Sequence, residues 1–157
     1  MDEKDLLRRA ASYCAYQERS HSEVRQKLRA MGASGSIAER ILTQLITDNF
    51  LNEERFARAF ARGKNSIKKW GRNRIRQELQ QHGVSEPNIR LGLSEIDENF
   101  YLSQFEILLA SKWETINEPD PMKRRKKCSD FLIYKGYEPD LVYNEIRRIY
   151  EVGKLKG

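Results

Sequence analysis

Ile75-Arg76-Gln77-Glu78-Leu79-Gln80-Gln81-His82-Gly83 sets two apolar side chains four residues apart and closes on a glycine four residues further on. On a 3.6-residue period Ile75 and Leu79 share one helix face. A glycine after them reads as a stop, because a left-handed residue beyond the last turn carries no penalty without a Cβ. The same phrase is written twice more. Val24 and Leu28 precede Gly32, and Cys128 and Leu132 precede Gly136, at the same offsets, with the three glycines 51 and 53 residues apart. Ala38, Ile89 and Val142 stand six residues after each glycine. Leu42, Leu93 and Ile146 follow at ten, and Leu45, Ile96 and Ile149 at thirteen. Agreement at five offsets in three copies is an internal repeat.

Working outward, the spacing before each glycine predicts one helix and the spacing after it a second. A longer helix precedes each pair, with apolar positions at Leu6, Ala10, Tyr13 and Ala15, then Phe56, Ala59, Phe60 and Ile67, then Leu102, Phe105, Leu108 and Leu109. Start signals agree. Ser20-His21-Ser22-Glu23 and Ser36-Ile37-Ala38-Glu39 have the form of a capping box. Asp120 caps before Pro121, and Pro87 and Pro139 fall in first turns, where a missing N–H does no harm. No segment alternates with a period of two. The expected fold is all-α, with nine helices in three tandem three-helix repeats over residues 1–51, 52–97 and 98–157. Repeats that touch mainly their neighbours predict an elongated, curved body.

Composition narrows the function. The 157 residues are 39% hydrophobic and 33% charged, enough for modest cores under a highly charged surface. No apolar run is long enough to span a membrane. The opening Met1-Asp2-Glu3-Lys4-Asp5 lacks the basic start and apolar stretch of a secretory signal, so a cytoplasmic location is expected. Cys14 and Cys128 lie far apart, and His21 and His82 have no ligand partners at metal spacing, so neither disulfide, metal nor other cofactor is expected. Gly32-Ala33-Ser34-Gly35-Ser36 lacks the Gly-Lys-Ser/Thr of a phosphate loop and reads as a connection between helices. Glu53 and Glu54 complement a helix N-terminus after Asn52. Nothing reads as an active site; the protein is expected to bind rather than catalyse.

The net charge of +6 is uneven. Arg62, Lys64, Lys68, Lys69, Arg72, Arg74 and Arg76 are opposed before His82 only by Glu78, so that segment carries the whole excess. On a helix from Gly71, Ile75, Leu79 and His82 face a core while Arg72, Arg76 and Gln80 line one flank, a stripe of donors suited to phosphates. Lys68, Lys69, Arg72, Arg74 and Arg76 are therefore the candidate nucleic-acid-binding residues. Trp70 is either a stacking surface for a base or a residue of the repeat interface. The second basic run, Lys123 to Lys127, reads as a solvated helix face.

With these pieces in place, the chain resembles the RecX family of regulators of the recombinase RecA. Arg19-Ser20 with Glu23-Val24-Arg25-Gln26-Lys27-Leu28, and Phe50-Leu51-Asn52-Glu53-Glu54-Arg55-Phe56-Ala57, are similar to two of its elements. Gly71-Arg72-Asn73-Arg74-Ile75-Arg76-Gln77-Glu78-Leu79, ending at Gly83-Val84, is the strongest match, and Phe131-Leu132-Ile133-Tyr134-Lys135-Gly136-Tyr137 agrees in type. Asn49 stands where many relatives have glycine, and Asn52-Glu53 replaces their usual Asp pair. The resemblance implies three three-helix repeats that act on RecA filaments and DNA in recombination, repair and the SOS response. It also implies restraint of strand exchange, ATPase and coprotease activities. The expected partners are thus a RecA filament and DNA, single-stranded and also duplex, met by a monomer whose curved shape would suit a filament groove. Two other classes fit the residues alone: an autonomous helix-turn-helix-like regulator, and a helical adaptor whose positive charge serves solubility.

Overall fold

In the computed structural model, which describes residues 1–151, all regular structure among those residues is helical. It runs α1 (Glu3–Tyr16), α2 (His21–Ala30), α3 (Gly35–Thr47), α4 (Glu53–Ser66), α5 (Arg72–Gln81), α6 (Glu86–Leu93), α7 (Glu98–Thr115), α8 (Pro121–Tyr134) and α9 (Pro139–Ile146), with a π-helical turn at Arg147–Glu151. The all-α expectation of three consecutive helix triplets is met.

The middle helix of each triplet ends as its glycine dictates. Gly32, Gly83 and Gly136 hold φ of +88°, +77° and +104°. The next N–H then donates back to the carbonyl of the recurring leucine: Ala33 to Leu28 at 2.8 Å, Val84 to Leu79 at 3.1 Å, Tyr137 to Leu132 at 3.1 Å. One local bond, repeated three times, satisfies the carbonyls that a helix end leaves orphaned. Asn49 closes α3 in the same way, with φ +63° and Phe50 donating to the Leu45 carbonyl, which explains why glycine would also suit that position.

The apolar register follows. Val24, Leu28, Ile75, Leu79, Cys128 and Leu132 are wholly buried, as are the six-residue offsets Ala38, Ile89 and Val142 to within a few per cent. Burial pushes the Cys128 thiol up to about 11 and raises that of Cys14, so both are un-ionised core groups.

The triplets gather into two bodies. One takes Met1–Arg62 with Glu78–Glu95, the other Gly63–Gln77 with the residues from Ile96, so the division passes through α4 and α5. In the first body Leu6, Ala10 and Cys14 of α1 pack on Val24, Leu28, Ile41, Leu42 and Leu45. Ser20 and Glu23 form the expected capping box, and His82 reaches it, sharing a 3.2 Å hydrogen bond with Ser20 while its ring packs against Phe56 and Phe60. Helix α6 crosses α4 closely: a Cβ on Gly92 would meet the Ala57 carbonyl oxygen at 2.7 Å.

Three local expectations are corrected. Helix α3 starts at Gly35 after Ser34 with no side-chain cap, so Ser36 and Glu39 make no capping box. Glu39 instead accepts from Arg25 at 2.9 Å. Ala15 is exposed, with Cys14 taking the core position beside it. Ile67 lies past the end of α4 and is 76% exposed, while small Ala57 and Ala61 form the buried face.

Glu53 does more than complement a helix end. Its carboxylate accepts from Asn88 Nδ2 at 2.6 Å and from Ser85 Oγ at 2.9 Å, tying the starts of α4 and α6 together. Burial opposes its ionisation, but the Asn88 and Ser85 donors outweigh burial and hold the carboxyl below its ordinary value. A carboxyl depressed in the folded state contributes stability above its unfolded pKa of about 4.3 and loses it as pH falls through the folded value. Glu53→Gln is therefore expected to lower Tm at pH 7, with the gap to wild type closing below about pH 4. Thermal melts across that range check it; a gap that widens on acidification would contradict the assignment.

Candidate nucleic-acid interface

The basic segment that begins in α4 is shaped by residues far along the chain. Trp70 turns back to donate its N–H to the Lys64 carbonyl at 3.1 Å, and Asn65, 3% exposed, donates Nδ2 to the Trp70 carbonyl at 3.0 Å. Lys69 holds φ +61°, and its carbonyl accepts from the buried Tyr137 hydroxyl at 2.9 Å. Then comes a backbone seam. Gly71 N–H donates to the Lys135 carbonyl at 2.8 Å and Asn73 N–H to the Gly136 carbonyl at 2.9 Å. Between them Arg72 N–H donates to the Tyr101 hydroxyl at 3.0 Å. The first N–H groups of α5 are thus already partnered, so this helix N-terminus is not left to take an anion.

The seam settles Arg72. Its side chain is 24% exposed, its guanidinium lies 3.9 Å from the Tyr101 ring centroid, and it pairs with Glu138 at 3.0 Å and with Glu98. Burial opposes its charge, but these carboxylates raise its pKa above the ordinary value. Burial and Glu138 push the Tyr101 phenol far up, so its hydroxyl keeps its proton and donates to Glu138. The expectation that Arg72 lines an exposed flank for phosphate is corrected: Glu98 and Glu138 already neutralise it, and it fastens α5 to α7 and the loop before α9. Arg76, one turn on, is half-buried.

Of the other candidates, Arg74 and Lys68 share one neighbourhood, while the Lys69 ammonium turns back to donate to the Ser66 carbonyl at 2.9 Å. Arg74 lies with its guanidinium 4.2 Å from the Trp70 centroid and 5.0 Å from that of Tyr134, and Lys64 sits 5.1 Å from Trp70 on the same cluster. Lys68 and Lys69 are exposed. Lys135, which the sequence reading missed, joins them by donating Nζ to the Lys68 carbonyl at 2.8 Å. Burial, then the Arg74 and Lys68 charges, lower the Lys135 ammonium below its ordinary value. The two neighbouring charges add to the effect of burial, and an incoming anion would offset their repulsion. Trp70 serves as a cation platform inside this cluster.

By contrast, the second basic run is dispersed. Lys126 pairs with Asp130 at 2.9 Å and Lys127 with Glu118 at 3.1 Å, while Arg124 donates to the Trp113 carbonyl and lies over its ring. No helix among the described residues is long and apolar enough to cross a membrane, and no group of His, Cys, Asp or Glu there could hold a metal ion.

The architecture is that of an all-helical protein made of three consecutive helix triplets. Family models describing the first, second and third three-helix domains of RecX match residues 7–45, 52–93 and 101–144 in that order. The chain belongs to the RecX family. It is 32% identical over 142 residues to the regulatory protein RecX of Prosthecochloris aestuarii, covering 90% of this chain and 91% of that one. It is 27% identical over 133 residues to the RecX of Bacillus cytotoxicus, where it spans 85% of its own length but only 49% of the relative's. For Clostridioides difficile RecX the figures are 24% identity, 90% and 66%. The fold matches the crystal structure of RecX from Lactobacillus salivarius with a TM-score of 0.80 at 19% identity, over 94% of this chain and 96% of that one. A second RecX crystal structure matches at 0.79 and 24% identity, over 93% and 73%.

Proposed function

We propose that this protein regulates a RecA recombinase in the cytoplasm, docking as a monomer on the RecA–DNA filament and restraining its strand-exchange, ATPase and coprotease activities without chemistry of its own. Family membership supports the regulatory role. The observation that supports the DNA contact is the Arg74 guanidinium set between the Trp70 and Tyr134 rings, with Lys64 on Trp70, Lys135 close to Arg74 and Lys68, and exposed Lys69 next in the chain, where cations meet phosphates and rings meet bases. Arg76, one turn beyond Arg72 and on another side of α5 from Arg74, is read as a further phosphate contact, while Arg72 fastens the helix. Single-stranded DNA is the principal ligand, with duplex DNA bound through the same phosphate contacts.

The decisive experiment measures RecA strand exchange and ATPase with and without the protein at several salt concentrations. Dose-dependent restraint supports the reading; full RecA activity with a saturating excess of protein would overturn it. Sequence-selective duplex binding without recombinase would point instead to an autonomous regulator. Retained RecA binding with no nucleic-acid affinity would point to an adaptor.

The role of the lysines on DNA is checked separately. Lys68→Ala with Lys69→Ala is expected to weaken oligothymidylate binding roughly tenfold and to flatten the slope of log K against log salt by about 1.4, near 0.7 for each phosphate of a single strand left without its cation. An unchanged slope would remove these lysines from the DNA interface.

A further inference from the structure

Tyr134 ends α8 and is 72% exposed, although the residues that bury that helix, Cys128 and Leu132, leave no solvent gap at all. A single exposed tyrosine needs no explanation. Its setting does. The equivalent positions two residues before Gly32 and Gly83 are Ala30 and Gln81, both exposed, so the repeat itself makes no demand for a ring there. Arg74 lies 5.0 Å from the Tyr134 centroid and 4.2 Å from that of Trp70, giving a ladder of indole, guanidinium and phenol. Most of the phenol ring remains in water. The ladder is also held in place. Asn73 N–H on the Gly136 carbonyl and Gly71 N–H on the Lys135 carbonyl fix the start of α5 against the residues that follow Tyr134. Lys135, its neighbour in the chain, carries the ammonium depressed by burial and by the nearby positive charges.

We propose that Tyr134 is a stacking platform for one base of a single-stranded nucleic acid, backed by the Arg74 guanidinium, with Lys68 and Lys135 on the flanking phosphates. The inference deepens the nucleic-acid reading above and rests on it. Stacking on a ring requires an unpaired base, so the site selects single strands over duplex. A cation behind the ring adds to the attraction, and a ring already held in register loses little freedom on binding.

The test titrates wild type, Tyr134→Phe and Tyr134→Ala with two labelled oligonucleotides of equal length, one thymidylate and one abasic with the same phosphates. Wild type should bind thymidylate the more tightly. Tyr134→Ala should lose roughly tenfold on thymidylate and little on the abasic strand, with the salt slope intact, while Tyr134→Phe stays near wild type. Because the side chain is exposed, all three should melt alike, which calorimetry verifies. Equal thymidylate affinity for wild type and Tyr134→Ala would overturn the stacking role, as would an equal loss on both strands. Wild type that binds both strands equally well would leave the phosphate contact standing and remove the platform. Wild type that binds neither would remove the nucleic-acid reading and this inference together.

Discussion

Gly136→Ala is expected to destabilise the protein by about 3 kcal/mol or more, while Gly32→Ala and Gly83→Ala should each cost about 1 kcal/mol, as the αL strain alone predicts. All three glycines end the middle helix of a triplet with positive φ, and a Cβ meets nothing within 4 Å at Gly32 and Gly83. At Gly136 it would stand 2.4 Å from the Arg74 Cβ, 2.6 Å from the Arg74 nitrogen and 2.9 Å from the Gly71 carbonyl oxygen. Backbone atoms cannot step aside as a side-chain tip can. The seam must open, adding about 1–3 kcal/mol of overpacking to the backbone strain and weakening two hydrogen bonds worth about 1 kcal/mol each. Gly71→Ala tests the same seam from the other side, since its Cβ would fall 2.4 Å from Gly136 and Tyr137 backbone atoms without any αL strain of its own. Denaturant melts rank the four variants, and amide exchange at Gly71 and Asn73 should accelerate in Gly136→Ala. Equal losses at Gly32, Gly83 and Gly136 would mean that the seam contributes nothing beyond the αL turn.

That contrast marks how far the residues could be read in order. Most of what depends on near neighbours was legible: the left-handed glycines, the buried offsets at Val24, Ile75 and Cys128, the Ser20–Glu23 box, the Asp120 cap. The box expected at Ser36 failed because α3 begins at Gly35 after Ser34, which puts Ser36 inside the helix and leaves Glu39 to pair with Arg25, 14 residues earlier on another helix. Helix α7 was read in part, because it is apolar on several sides: Phe105 and Leu109 are buried as expected, Leu102 and Leu108 are half-buried, and Tyr101 takes the further core place one turn before Phe105, while Phe100 and Ile107 are exposed. The candidate site divides along the same line. Local charge density singled out Lys68, Lys69 and Arg74 as candidates, and their contact with nucleic acid remains the proposal made above. The fate of Arg72 was set by Glu98 and Glu138, 26 and 66 residues away, and the fate of Lys135 by a seam that only the folded chain creates. Sequence order carries charge; pairing of that charge is tertiary.

Arg72→Ala should therefore behave as a stability variant rather than a binding variant. Its removal leaves Glu138, which accepts from the Tyr101 hydroxyl, and Glu98 without their shared cation and strips the stacked guanidinium from the Tyr101 ring. For a fully buried pair such a loss costs about 3–5 kcal/mol. The Arg72 side chain is 24% exposed and Glu98 is 63% exposed, so solvent screening brings the expected loss to about 2 kcal/mol. Arg72→Lys keeps the charge but not the two-carboxylate fork or the planar stack, and should recover only part of it. Adding Glu138→Gln to Arg72→Ala should cost less than the sum of the two single changes, because each removes the other's unpaired charge. Through all of this the salt slope of oligothymidylate binding should stay at its wild-type value for every variant that remains folded. A variant with unchanged Tm and a flattened slope would reverse the assignment: the guanidinium would then have exchanged its carboxylates for phosphate, and the ion pairs would be a resting state of the DNA interface instead of part of the scaffold.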